Sequence, residues 1–102
     1  MPEKIIVYEK PMKYLVVIEK GAGNYSAYSS DVAGCAATGN SVEETLENIK
    51  DALGFHLEEM LENGETLPNP KSLNFYLTQT EEFSGDEIFT HINLEIPELA
   101  LA

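Results

Sequence analysis

Residues 41–64 read SVEETLENIKDALGFHLEEMLENG, and the fold follows from how that stretch is read. Ser41 suits a helix N-cap, and Glu44 three residues on completes a capping box. Gly64 stands where a C′ glycine ends a helix, and Pro68 and Pro70 prevent its resumption. Between these signals Val42, Leu46, Ile49, Leu53, Leu57 and Met60 recur at spacings of three and four, within an arc of roughly 80°. Glu44, Glu47, Asp51, Glu58 and Glu62 fall on the opposite pole, with Phe55 among them. One face is therefore expected to pack on a sheet while the other forms a carboxylate stripe. Such a stripe is either a solvated outer face or a surface offered to a basic partner. Phe55 favours the second reading, because an aromatic group rimmed by charge is typical of an interface centre.

Upstream, Tyr14-Leu15-Val16-Val17-Ile18 is apolar on both faces, as a central covered strand would be. Gly21-Ala22-Gly23-Asn24 is turn chemistry, and Tyr25–Ser29 reads as the second strand of a hairpin. Asp31-Val32-Ala33-Gly34 makes another turn, with Asp31 expected to organise it through its own backbone. Cys35–Thr38 is a short third strand. Ile5–Tyr8 has strand composition but Pro11 is expected to end it, so residues 1–11 are set apart as an extension from a single domain over 12–102.

Downstream, Leu73, Phe75 and Leu77 alternate with polar or larger neighbours, as do Ile88, Thr90, Ile92, Leu94 and Ile96. Both read as half-buried strands separated by a loop over Thr80–Asp86. The expectation is an α+β fold: a three-stranded antiparallel meander, one long helix and a returning strand, with Leu73–Thr78 as a further strand. A helical crossover would bring Phe89–Glu95 back parallel to Tyr14–Ile18, in the right-handed sense.

The 102 residues hold 6 Lys, no Arg, 3 Asp and 15 Glu, for a formal net charge of −12. A chain this acidic cannot neutralise phosphates, so nucleic acid and anionic membrane surfaces are excluded as direct partners. No apolar run approaches the roughly 18–20 residues that span a bilayer. Met1-Pro2-Glu3-Lys4 lacks the layout of a signal peptide, and a single Cys precludes an internal disulfide. A cytoplasmic location is expected. Cys35 reads as a small buried hydrophobe, since nothing places His56 or His91 beside it as a base. His56-Leu57-Glu58-Glu59 lacks the second His of a zinc motif, and His56 reads as a packed helix-flank residue. No catalytic, metal or cofactor site is expected.

Several of these segments, taken in order, resemble the HicB-like (UPF0150-type) antitoxin domain. Met12–Lys20 is similar to its opening strand, and Tyr25-Ser26-Ala27-Tyr28 to its aromatic second strand. Asp31-Val32-Ala33-Gly34-Cys35 resembles its acidic-x-x-Gly-Cys turn. Thr38–Asn48, containing Ser41, is similar to its helix entry, and Gly64-Glu65-Thr66-Leu67-Pro68-Asn69-Pro70 to its proline exit. The resemblance, over residues 12–70, implies a β-β-β-α-β fold like a pared-down ribonuclease H core. It implies structural roles for Asp31, Gly34, Cys35, Ser41, Gly64, Pro68 and Pro70. It also implies that the chain masks a small, basic, RNA-cleaving HicA-type toxin by protein–protein contact. The family often adds a C-terminal DNA-binding module, whereas residues 71–102 carry one Lys against six acids and no two-helix pattern. An orphan, self-associating regulatory or structural domain without a toxin partner is the alternative.

A ribonuclease H centre would need carboxylates converging from the first strand, the helix and a later strand onto two metals. The first strand here is apolar to Ile18, Glu95 points away from the face carrying Ile92 and Leu94, and the helix acids face outward. The expected protein is not an enzyme. One further expectation concerns assembly. Leu15 and Val17 lie opposite Tyr14, Val16 and Ile18, and one helix cannot cover both faces of a sheet. The apolar face left over predicts a homodimer.

Overall fold

The computed structural model describes residues 5–79 and 83–101, with side chains over 11–79 and 83–96. The elements are β1 (Ile5–Lys20), β2 (Tyr25–Ser29), β3 (Ala36–Gly39), α1 (Val42–Glu62), α2 (Leu73–Gln79) and β4 (Ile88–Leu101). The fold is α+β, as expected: one four-stranded sheet of order β3-β2-β1-β4 with α1 across one face.

The strand alternation decides what α1 covers. Met12, Tyr14, Val16 and Ile18 of β1, Ala27 of β2, and Ile92, Leu94 and Ile96 of β4 share one face and are buried. Ile49, Leu53 and Leu57 of α1, each 0% exposed, pack onto them. The helix ends follow the sequence signals. The Ser41 hydroxyl oxygen accepts from the Glu44 N–H at 3.0 Å. The Glu44 carboxylate reaches one residue further back than a capping box requires, accepting from the Asn40 N–H at 3.3 Å. At the other end Glu65 N–H bonds the Met60 carbonyl and Gly64 N–H that of Leu61. Gly64 has φ +73, so the paired bonds form a Schellman cap. Thr45, absent from the expected apolar stripe, is fully buried because its hydroxyl donates to the Ser41 carbonyl at 2.7 Å. Gly39 closes the approach of β3 to α1: a Cβ there would lie 2.6 Å from Thr45 Oγ1 and 2.7 Å from its backbone nitrogen.

Four expectations are corrected. First, β4 lies beside β1 but antiparallel to it, pairing Ile18 with Ile88 and Ile5 with Leu101. The reason is an extra traverse. The chain leaves α1 level with Tyr14, whose hydroxyl donates to the Pro68 carbonyl at 2.9 Å. It then runs through α2 to Ile88, beside Ile18 near the C-terminal end of β1, and β4 runs back along β1 from there.

Second, Leu73–Thr78 is helical and not a strand. Ser72 caps it by accepting from the Phe75 N–H at 3.1 Å.

Third, Pro11 does not end the first strand. The Leu15 N–H turns away from β4, donating to Asp31 Oδ2 at 2.8 Å. Residues of that parity, including Pro11, direct their N–H positions away from β4, so the proline removes no bond between them. Of the residues set apart as an extension, 5–11 are thus strand, while 1–4 lie outside the described residues. The β1–β4 ribbon lengthens the molecule to 59 Å, with a radius of gyration of 15.9 Å. A compact chain of this length would have about 13 Å.

Fourth, Leu15 and Val17 are not an open face: both are 0% exposed within one chain. Phe89, level with Val17, stacks edge-on with Phe83. The apolar driving force invoked for a homodimer is therefore met internally.

Candidate functional site

The outer face of α1 is the most distinctive surface. Glu44, Glu47, Asp51, Glu58 and Glu62 are all exposed on it, and Phe55 is 72% exposed among them. Leu61, 39% exposed, adds apolar area near its C-terminal end. The helix carries one Lys, Lys50, and no basic residue in its last turn. Glu58, Glu59 and Glu62 therefore stand at the negative end of the helix dipole, where carboxylates repel the unpaired carbonyls. Their placement costs stability in the free chain, and a basic partner would offset it.

The turn and cap residues form a second group, which shapes the scaffold. Asp31 does more than organise its own turn. Its Oδ2 accepts from the Leu15 N–H, and its Oδ1 accepts from the Lys71 N–H at 2.8 Å and the Tyr76 hydroxyl at 2.5 Å. One carboxylate thus joins β1, the chain after Pro70, and α2. Burial, then the Asp31 hydrogen bond and charge, hold the Tyr76 phenol far above its usual value. The Tyr14 phenol is raised by burial and, secondarily, by the same charge. Gly34 takes φ +80 in the turn, and Cys35 behind it is buried in the core with its thiol pushed up by burial. Pro68 supplies the carbonyl that receives Tyr14, while Pro70 precedes the Lys71 contact. Sequence reasoning missed Tyr76 and the reach of Asp31, because a bond spanning 45 residues leaves no local pattern.

His56 is half-buried on the flank of α1, beside Glu59 and Met60 in a shallow hollow of about 160 Å³. Among the described residues, no three His, Cys, Asp or Glu side chains converge to hold a metal ion. Nor, among them, is any helix long and apolar enough to cross a membrane.

Residues 14–101 match the family model described as HicB_like antitoxin of bacterial toxin-antitoxin system. The chain belongs to the HicB-like antitoxin family. An uncharacterized 14.9 kDa protein from the rep-hol intergenic region of Haemophilus phage HP1 is 35% identical over 88 residues, 86% of this chain. A UPF0150 protein of Helicobacter pylori is 41% identical over 44 residues, 43% of this chain. This HicB-like chain spans 65% of the phage protein's length and 61% of the Helicobacter protein's. Among solved structures, the N-terminal domain of the Burkholderia pseudomallei antitoxin HicB superposes with a TM-score of 0.72 at 21% identity. That match covers 83% of this chain and all of that one. A chain of the HicA3 and HicB3 toxin–antitoxin complex gives 0.64 at 26% identity, covering 78% of this chain and 94% of that one. The HicB N-terminal fold accounts for the sheet, α1 and the further strand, and membership in an antitoxin family suggests a non-catalytic role.

Proposed function

We propose that this HicB-like chain is a cytoplasmic antitoxin module that binds and masks a small, basic, RNA-cleaving HicA-type toxin, without chemistry of its own. The observation that carries the reading is the outer face of α1, where Phe55 stands exposed within Glu44, Glu47, Asp51, Glu58 and Glu62. Opposite charge speeds encounter and selects the partner, and a desolvated aromatic anchor supplies much of the affinity. The toxin–antitoxin complex among the structural relatives supports a toxin as the partner class. The chain does not bind nucleic acid directly in this reading, because six Lys against eighteen acids leave nothing to offset repulsion from phosphate.

The test looks for a short, strongly basic reading frame beside the one for this chain and titrates its product calorimetrically, with RNA cleavage as the second readout. The wild-type chain is expected to bind and to stop cleavage. Phe55→Ala should weaken binding at least tenfold with unchanged thermal stability, and Glu58→Lys with Glu62→Lys should slow association and reduce its salt dependence. Absence of binding to any basic neighbour would leave the orphan-domain alternative, while binding unaffected by all three changes would move the interface away from α1.

A further inference from the structure

The two edges of the sheet are treated differently. The β3 edge is four residues long, and the Asn48 side chain of α1 donates to its Thr38 carbonyl at 2.8 Å. Among the described residues, the β4 edge has no such cover. Because Leu15 turns its N–H away from β4, the residues of β4 paired with that parity of β1 turn theirs outward: Phe89, His91, Asn93 and Glu95, with Pro97 next in the same parity. Pro97 blunts the outer end of the edge, as Pro11 blunts the edge of β1 that turns away from β4, since neither offers an N–H there. Between Phe89 and Glu95 no such device intervenes. The register is unbroken by any bulge, and no described group of the chain bonds the outward row.

The same segment is the electrostatic exception of the molecule. Ile88–Leu94 contains no Asp, Glu or Lys in a chain of net charge −12. Two copies of so acidic a protein repel wherever carboxylates meet, and this strip is where backbones can approach without that cost. Beside it runs an open groove of about 360 Å³, lined by Leu46, Glu47 and Lys50 of α1 and by Thr90–Asn93 of β4. Lys50 has no ion-pair partner among the described residues.

We propose that the outer edge of β4 from Phe89 to Glu95 pairs antiparallel with the same edge of a second copy of this chain, joining two sheets into one across a two-fold axis. The axis passes by Ile92, so that His91 meets Asn93 of the second copy and Phe89 meets its Glu95. Outward-turned groups then face outward-turned groups, as an antiparallel ladder requires. The isologous arrangement sets the two grooves against each other, so that Lys50 of each copy meets Glu47 of the other. Of the carboxylate stripe only Glu47 is engaged; Glu44, Asp51, Glu58 and Glu62 around Phe55 remain free, and the dimer does not depend on the proposed toxin.

Sedimentation equilibrium of the full chain over a micromolar series tests this. The expected species has twice the 11.3 kDa chain mass. Asn93→Pro removes one outward N–H and no bond to β1, as Pro97 already does natively, so it should fold and weaken dimerisation at least tenfold. Lys50→Glu should weaken it severalfold, and Lys50→Glu combined with Glu47→Lys should restore it, since the swap rebuilds the reciprocal pair. Circular dichroism confirms that each variant is folded. A wild-type chain that stays monomeric throughout, whether its edge is bare or takes a strand from another protein, overturns the proposal. So does a dimer indifferent to a folded Asn93→Pro chain.

Discussion

The two helices of the fold are held by opposite means. α1 is 21 residues long, capped at both ends, and fixed by Ile49, Leu53 and Leu57 driven into an aliphatic core. α2 is seven residues long, buries no residue fully, and is fixed through Tyr76 to one carboxylate, Asp31. Hydrophobic burial is spread over many contacts and tolerates small losses. A three-bond polar hub is concentrated, so removing one residue releases everything it holds. The difference teaches where each kind of damage should register: globally for α1, locally for α2.

The largest effect should come from Leu53→Ala. Truncating a fully buried leucine removes its transfer energy and leaves a cavity, together about 3–4 kcal/mol. Urea denaturation should show a lower midpoint at unchanged slope, with all probes of unfolding moving together. A loss under about 1 kcal/mol would mean that the α1 core relaxes around the cavity and that the contrast with α2 is overdrawn.

Asp31→Ala comes next. It strips acceptors from the Leu15 and Lys71 N–H groups and the Tyr76 hydroxyl, for a loss of about 2–3 kcal/mol. The distribution matters more than the sum. Amide exchange should accelerate first at Leu15 and Lys71, well before the α1 amides of Ile49 and Leu53. Uniform acceleration across both helices would show that α2 is part of the same cooperative unit as α1.

That contrast also explains what was legible in the sequence. The α1 stripe repeats over six turns and carries its own stop signals, so its limits and inward face could be read directly, as could the exposed position of Phe55. Leu73–Thr78 offers only six residues. There Leu73, Phe75 and Leu77 fit a strand as well as Leu73, Tyr76 and Leu77 fit a helix, and the Ser72 cap was the one discriminating sign. The direction of β4 was hidden for a related reason. If α1 alone joined the sheet strands, a parallel return would follow, and only the traverse through α2 reverses it. Asp31 illustrates the general limit: its residue type announces a turn, but its partners at Leu15, Lys71 and Tyr76 are set by tertiary structure.

Smaller effects should separate the two caps. Ser41→Ala removes the oxygen that receives the Glu44 N–H, and a lost N-cap costs about 1 kcal/mol. Because α1 is built into the core, that loss should appear in global stability. Ser72→Ala removes the equivalent bond to Phe75 on α2, yet should change the urea midpoint by only a few tenths of a kcal/mol. Its effect should be faster exchange at Phe75 alone. Equal global losses from the two changes would break the distinction between the helices.

The smallest effect lies where the α2 side rejoins the sheet. Glu87 folds back on its own loop: Oε1 accepts from the Ser84 N–H at 2.7 Å and the Ser84 hydroxyl at 2.8 Å, and Oε2 from the Gly85 N–H at 3.1 Å. The Ser84 backbone bond first and its hydroxyl next lower the carboxyl from the usual 4.5 to about 2. A carboxyl lowered on folding stabilises the folded loop fully above its unfolded value, and that contribution fades as pH falls from about 5 toward 2. Above pH 6 the loop should be insensitive to pH. Carboxyl ¹³C titration should therefore place the Glu87 inflection near 2, and Ser84→Ala should move it upward while leaving the two backbone bonds in place. The α1 core, held by uncharged groups, should keep its methyl shifts across the Glu87 transition. An inflection at the ordinary glutamate value would show that the loop is not closed in solution, and that the start of β4 is held by its ladder with β1 alone.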